Sequence, residues 1–344
     1  MQFIKPDINI DFIGKRKIAF VFSLAMILIS IGTLVANKGP RYGIDFAGGT
    51  LIQVKFKAPV TIDDIKSGLQ EMEITASAVQ QFGQRADNEF LIRTDATSSA
   101  MEGLSETLAA KLEAATSVGV EVRRMEMVGP QVGQDLREKA LFAMFYALLF
   151  ITVYISGRFE LKWAKSAIVA AAIMGAVYLL SLFNVAVPFL MLAALIVSLI
   201  IFWLFEFKYA MGAIVALIHD VTITVGIFSL FDKEFTLPIV AALLTIIGYS
   251  LNDTIIVFDR IRENLRKYHK QPMTTILNRS INETLSRTIL TSGTTLIVVT
   301  ALYLLGGGII HDFSFALLIG IMIGTYSSIF VASPILLAWP GRKK

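Results

Sequence analysis

Charge-free apolar runs set the plan of this chain. They cover residues 18–37, 140–157, 166–205, 209–231, 235–258, 288–310 and 313–341, with polar or charged stretches between them. A membrane-crossing helix needs about 20 such residues. The run 166–205 is twice that and holds Pro188, so it predicts two helices folded back at residues 184–188. Eight crossing helices result. Two runs are interrupted by ionisable residues, His219-Asp220 in the fifth helix and Asp253 in the sixth.

The stretch between the first two runs has a different period. Residues 50–57 alternate as a strand does, and 61–72 open with Thr61-Ile-Asp-Asp64, a helix-start signal. Residues 77–82 and 89–94 read as a strand pair, 98–116 as a helix by its Leu and Ala spacing, and 118–128 as another strand. The order β-α-β-β-α-β predicts a ferredoxin-like α+β sandwich. It pairs no nucleophile with a base, so a recognition or docking surface is its expected use. The chain thus divides into an N-terminus with a first crossing helix (1–37), an α+β domain (38–138) and a seven-helix bundle (139–344).

Within the bundle there is an internal repeat. Arg158-Phe-Glu-Leu-Lys-Trp-Ala-Lys-Ser-Ala-Ile-Val-Ala170 matches Leu204-Phe-Glu-Phe-Lys-Tyr-Ala-Met-Gly-Ala-Ile-Val-Ala216, Ser181-Leu-Phe183 matches Ser229-Leu-Phe231, and Pro188 matches Pro238. A hairpin at about 160–207 reads as a duplicate that kept the apolar frame. It carries Ile173-Met174 where the later copy carries His219-Asp220.

Composition agrees with the pattern. Only 17% of the 344 residues are charged against 55% hydrophobic, where a soluble domain carries about 25% charged residues. This is a polytopic α-helical membrane protein. The net charge of +4 comes from Lys and Arg clustered beside the apolar runs, which is membrane topology rather than nucleic-acid binding. Basic clusters before residue 18, at 158–165, at Lys208, through 260–287 and at 342–344 mark alternate loops as the inside. Both termini are therefore expected in the cytoplasm and the α+β domain outside. With no cysteine and three histidines, thiolate chemistry is excluded and a His-rich metal site is not expected. No cofactor is implied. The run after Lys15-Arg16-Lys17 lacks a small-residue cleavage site and reads as an uncleaved span.

The candidate chemistry is a set of ionisable residues at membrane depth. A charge there costs about 2.5–3.5 kcal/mol on insertion scales, so it needs a partner, a proton or a function. Asp253 belongs to a stripe with Thr245, Tyr249, Asn252 and Ile256 on one face of the sixth helix. The seventh offers Arg287, Thr291, Thr294 and Thr295. If that helix begins near Asn282, Arg287 lies at the depth of Asp253 and an Asp–Arg gate is the natural reading; a snorkelling anchor is the plainer one. Asp220 falls near the bilayer midplane, either as a packing knot or as a proton carrier. His219 is turned about 100° from it around the helix and need not share its surroundings.

With these residues identified, the chain resembles the SecF family, subunits of the SecDF protein-export complex and relatives of RND-type transporters. The resemblance rests on Tyr42-Gly-Ile-Asp-Phe-Ala-Gly-Gly-Thr50, Ala213-Ile-Val-Ala-Leu-Ile-His-Asp-Val221, residues 248–264, Ser286-Arg-Thr288 and residues 319–330. It implies an RND-like bundle with a periplasmic domain in a bacterial inner membrane. It also implies pairing with SecD beside the SecYEG translocon, and use of the proton-motive force to pull unfolded polypeptides across. The family's proton-relay positions fall on Asp253 and Arg287, with a further carboxylate from SecD; Asp220, Asn252 and His219 join them as candidates. The family's usual six helices become eight here through the added hairpin. Two rivals keep a place: an RND-like exporter of small molecules or lipids, and a purely structural translocon subunit. A membrane enzyme fits least.

Overall fold

The computed structural model describes residues 8–70, 76–82, 87–94, 104–182 and 187–338. The first crossing helix, α1 (Arg16–Ala36), leads through the turn 41–43 and a four-residue helix α2 (Ile44–Ala47) into the α+β domain. There follow β1 (Gly49–Phe56), α3 (Ile62–Gln70), β2 (Ala76–Phe82), β3 (Glu89–Thr94), α4 (Leu104–Thr116) and β4 (Val120–Val128). The sheet is antiparallel in the order β2-β3-β1-β4, the order a ferredoxin-like sandwich requires. Strand alternation sends Ile52, Val54, Phe56, Phe90 and Ile92 inward against Ile65, Leu69, Leu108 and Leu112. Each such buried side chain contributes about 1.5–3 kcal/mol by leaving water.

At the start of α3, Thr61 and Asp64 cap each other. The Thr61 backbone N–H and hydroxyl both donate to the Asp64 carboxylate, and the Asp64 N–H donates back to Thr61 Oγ1. This is the reciprocal capping pattern, with Asp in the acidic position. The Thr61 hydroxyl above all holds the exposed Asp64 carboxyl below the ordinary aspartate range.

The domain enters and leaves the bundle at one corner. Gly49 pairs with Val128 across β1 and β4, and the two connectors touch at Gly48 and Pro130. Gly48 has φ +77, and a Cβ there would lie 2.9 Å from the Pro130 Cα. Only glycine meets both constraints.

The bundle comprises α5 (Pro130–Glu160), α6 (Trp163–Ser181), α7 (Val187–Leu204), α8 (Lys208–Leu230), α9 (Leu237–Lys267), α10 (Met273–Leu305) and α11 (Gly307–Ser327), which ends in a π turn (Ser328–Ala332). Among the described residues, seven helices are long and apolar enough to cross a membrane, α1 included. An eighth, α7, is apolar but shorter. The expected fold at 184–188 lies partly outside the described residues. Three helices exceed their apolar runs. The basic segment after 260 continues α9, and α10 begins at Met273, nine residues before the start near Asn282 that a gate at Arg287 assumed.

Helices approach closely where small residues allow. Gly320 and Gly324 of α11 face Ile246 and Ser250 of α9, and Gly226 of α8 faces Ser30 of α1. Such small-residue contacts let backbones pack where lipid supplies no hydrophobic drive. Residues 8–14 are laid along α10 by two asparagines a turn apart. Asn278 accepts from the backbone N–H of Phe12 and Ile13, Asn282 from that of Ile10, and both amides donate to the Ile10 carbonyl.

Candidate functional site

Among the described residues, the carboxylates of Asp253 and Asp220 are buried inside the bundle. Asp253 of α9 is 1% exposed. Its Oδ2 accepts from Ser292 Oγ of α10 at 3.2 Å, and Thr325 Oγ1 of α11 lies 2.8 Å from that hydroxyl. Asp220 of α8 is fully buried. Its Oδ2 accepts from Ser250 of α9 at 2.6 Å and Ser327 of α11 at 2.8 Å. Its Oδ1 lies 2.8 Å from His219 Nδ1. From the other ring nitrogen the network continues to Ser23 of α1 at 3.1 Å, then to Tyr326, which donates to the Ala19 carbonyl.

α9 serves both clusters. Ser250 and Asp253 are three residues apart and so lie on neighbouring positions of one helix face. Gly324 makes the geometry possible: a Cβ there would lie 2.9 Å from the Ser250 Cβ.

The structure gives the candidates different exposures and leaves the Arg287 charge within electrostatic reach of Asp253. Asp253 is buried, whereas Asn252, Thr245 and Arg287 are exposed on the α9–α10 face. Among the described residues no ion pair reaches Arg287, and the partner of Asp253 is Ser292, five residues further along α10. Both stand at similar depth. Asp253 is about 24 Å and Arg287 about 27 Å from the domain-side ends of their helices at 1.5 Å per residue. His219, though turned about 100° from Asp220 around the helix, joins the same network, through Nδ1 to Asp220 and Nε2 to Ser23.

The hydroxyls of α10 serve their own helix first. Thr291, Thr294 and Thr295 donate to carbonyls three or four residues back on their own helix, the ordinary use of threonine in a membrane helix. Crossing between helices falls to Tyr249, which donates to the Thr291 carbonyl at 3.1 Å, and to Ser292. Ser292 and Thr325 were missed by sequence reasoning. Ser292 sits inside the hydroxyl-rich turn 291–295, and Thr325 inside the segment 319–330, but nothing in the spacing singles out either one.

At the end remote from the domain, the junction of the hairpin is tightly knit. Glu160 Oε1 accepts from the Tyr209 N–H in the first turn of α8 at 3.0 Å, Phe159 stacks on Tyr209, and Lys162 Nζ donates to the carbonyls of Phe205 and Glu206. Leu161 and Glu206, at the two ends of the hairpin, both have φ near +55.

Comparison with known proteins places these features. Residues 33–60 match the family described as SecD/SecF GG Motif. Residues 107–195 and again 173–342 match Protein export membrane protein SecD/SecF, C-terminal, so the second match begins before the first has ended. The chain is 43% identical to protein translocase subunit SecF of Magnetococcus marinus, over 100% of this chain and 96% of that one. It is 41% identical to the SecF subunit of Vibrio alginolyticus, over 98% and 91%. Among solved structures it resembles SecDF of Thermus thermophilus, a translocon-associated membrane protein, with a TM-score of 0.76 and 32% identity. It covers 98% of this chain and 39% of that one, so the chain spans about two fifths of the solved SecDF polypeptide. SecDF in a super-membrane-facing form matches the same share with a TM-score of 0.63. The relatives are transport proteins rather than enzymes. With full-length matches, both motif regions and the multi-pass fold in agreement, the chain belongs to the SecF family of translocase subunits in the Sec protein-export pathway.

Proposed function

We propose that the protein works with a SecD partner to couple the proton-motive force to movement of unfolded polypeptide emerging from the SecYEG channel. In this reading it lies in a bacterial inner membrane, both termini in the cytoplasm and the α+β domain in the periplasm.

One observation carries the proposal. The α9–α10 face presents Arg287, Asn252 and Thr245 outward beside the buried Asp253. An exposed cation at membrane depth is costly, and among the described residues no salt bridge reaches Arg287 although its charge acts on Asp253, so this face calls for a second membrane subunit that brings an anionic or hydrogen-bonding group to Arg287. The relay then lies at a subunit boundary, with Asp253 and Ser292 on this side of it. Proton arrival at Asp253 weakens its hold on α10 and its attraction to Arg287, and α9 shifts relative to α10. The energy source is adequate in kind: one elementary charge crossing 100 mV releases about 2.3 kcal/mol.

The Asp220 cluster supports a second role for that residue. Its oxygens already face three partners from α8, α9 and α11, the saturation that a packing lock needs. The test is gradient-dependent export in vesicles holding the assembled complex. Asp253→Asn should remove the gradient-dependent component while the complex still forms. Asp220→Asn should reduce the amount of assembled complex instead. An Asp253→Asn complex with unchanged gradient dependence would refute the coupling role.

A further inference from the structure

The loop between α8 and α9 holds the connector at residues 41–45 and, through Glu234, reaches β2 and β3 of the α+β domain. Glu234, the centre of this contact, is not among the relay candidates. Its Oε1 accepts from Gln80 Nε2 of β2 at 3.0 Å and lies 3.7 Å from Arg93 of β3 and from Arg41. Arg93 also donates to the Tyr42 carbonyl at 2.6 Å. One residue on, Phe235 forms a two-bond β-bridge with the turn before α2: its N–H donates to the Arg41 carbonyl, and its carbonyl accepts from Gly43. Two residues further, the first N–H of α9, on Leu237, donates to Asp45 Oδ2 at 2.8 Å. A carboxylate at that position also suits the positive end of the helix.

The connectors meet at the β1–β4 corner, at Gly48 and Pro130, where one residue with φ +77 supplies the turn. A domain attached only there is free to tilt. Glu234 grips β2 and β3, on the other side of the sheet. Neighbouring strands are about 4.8 Å apart, so the two attachments lie a strand or two from each other and together fix the tilt. The grip belongs to the loop that opens α9, and α9 carries Asp253.

We propose that Glu234 is a strut: a positioning residue that ties the tilt of the α+β domain to the position of α9 and stays engaged throughout the working cycle. A displacement of α9 at Asp253 then reaches the domain as rotation about the Gly48–Pro130 corner. The direction of that transfer rests on the proton-coupled reading above; the strut itself rests on the contacts of Glu234.

This chain has no native cysteine, so in membrane vesicles containing the complete complex the introduced pair holds its only thiols. Gradient-dependent export is compared at matched levels of assembled complex for wild type, Glu234→Ala, Glu234→Gln, Asp253→Asn, and the pair Gln80→Cys with Glu234→Cys. Glu234→Ala should lose gradient-dependent export several-fold, and Glu234→Gln, which keeps an acceptor for Gln80, should lose less. The cysteine pair should resemble Glu234→Ala until joined by a short bismaleimide, which should restore export toward wild type. At matched levels of assembled complex, restoration by cross-linking means that the tie is needed for export itself and not only for assembly. Wild-type activity in Glu234→Ala and in the unlinked pair would overturn the strut. So would a block on cross-linking, since Glu234 would then be a latch that must open. If Glu234→Ala fails to assemble, the linked and unlinked pair decide alone. Failure of the coupling reading registers separately, as gradient dependence that survives Asp253→Asn.

Discussion

Ser292 donates to Asp253 across the α9–α10 contact at 3.2 Å, tying the buried carboxylate to the helix that presents Arg287 five residues earlier. The hydroxyl is therefore what α9 must release if it is to move against α10. A hydrogen bond to a charged acceptor contributes about 1.5–3 kcal/mol. Ser292→Ala should assemble normally and lower gradient-dependent export several-fold, while Ser292→Thr keeps the donor and most of the rate. Equal rates in Ser292→Ala and wild type would place this hydroxyl outside the working path.

Asp220 poses a question of stability. Removing its carboxylate leaves Ser250 and the His219 ring without this acceptor, at about 1–3 kcal/mol for each buried donor left unpaired, while Ser327 keeps the Gly324 carbonyl. Asp220→Leu should lower the thermal midpoint of the purified protein in detergent well below that of Ser327→Ala. The double variant should lose less than the sum of the two, because both delete the same bond. Strict additivity would mean that the two residues do not interact.

Gly324 sets how closely α11 meets α9. A methyl group there falls 2.9 Å from the Ser250 Cβ, and overpacking of this kind costs about 1–3 kcal/mol. Gly324→Val should part the helices, draw Ser250 away from Asp220, and reduce assembly more than Gly293→Val, whose Cβ position meets nothing within 4 Å.

The hairpin α6–α7 should be removable. Deleting residues 161–206 joins Glu160 to Phe207 and recreates one Arg-Phe-Glu-Phe-Lys-Tyr seam where the chain now has two related copies. Glu160 already meets the first turn of α8, and Phe159 already stacks on Tyr209. The shortened chain should insert with unchanged orientation, since an even number of helices is lost. Reporter fusions at the C-terminus check this, and a reversed terminus would rule out an excisable hairpin.

Acid should loosen α3 selectively. The folded-state pKa of Asp64 lies below its ordinary value of 3.8, so its capping contribution is complete above that value and fades as pH falls through the lower, folded one. Thr61→Ala removes the hydroxyl responsible. Hydrogen exchange in the first turn of α3 should be faster in that variant at neutral pH, and the difference should shrink in strong acid. A difference that persisted there would detach the effect from Asp64.

The spans and the domain were legible because their signals are local. Charge-free stretches and strict alternation at Ile52, Val54 and Phe56 depend on no distant residue. The short α2 was not legible, because tertiary contacts sustain it: Phe46 rests near the Phe235 ring and Asp45 caps α9. The full length of α10 was hidden for a similar reason. Its first turns are polar and look like a loop, yet Asn278 and Asn282 are committed to the strap of residues 8–14. At the site, sequence identified Asp253, Arg287, Asp220 and His219 as residues that membrane depth makes expensive. It gave no sign that Arg287 faces outward, nor that Ser292, among several hydroxyls in that turn, is the one aimed at α9. Helical spacing specifies a face, and the choice within that face belongs to the neighbouring helix.

The pairing of Gly49 with Val128 gives the α+β domain the form of a cassette, inserted between two adjoining points of the membrane framework. A larger, smaller or differently shaped domain could occupy the same two sockets without changing the course of any helix. The domain can thus be refitted while the helices beneath it stay as they were, provided each replacement keeps a foothold for the loop that opens α9.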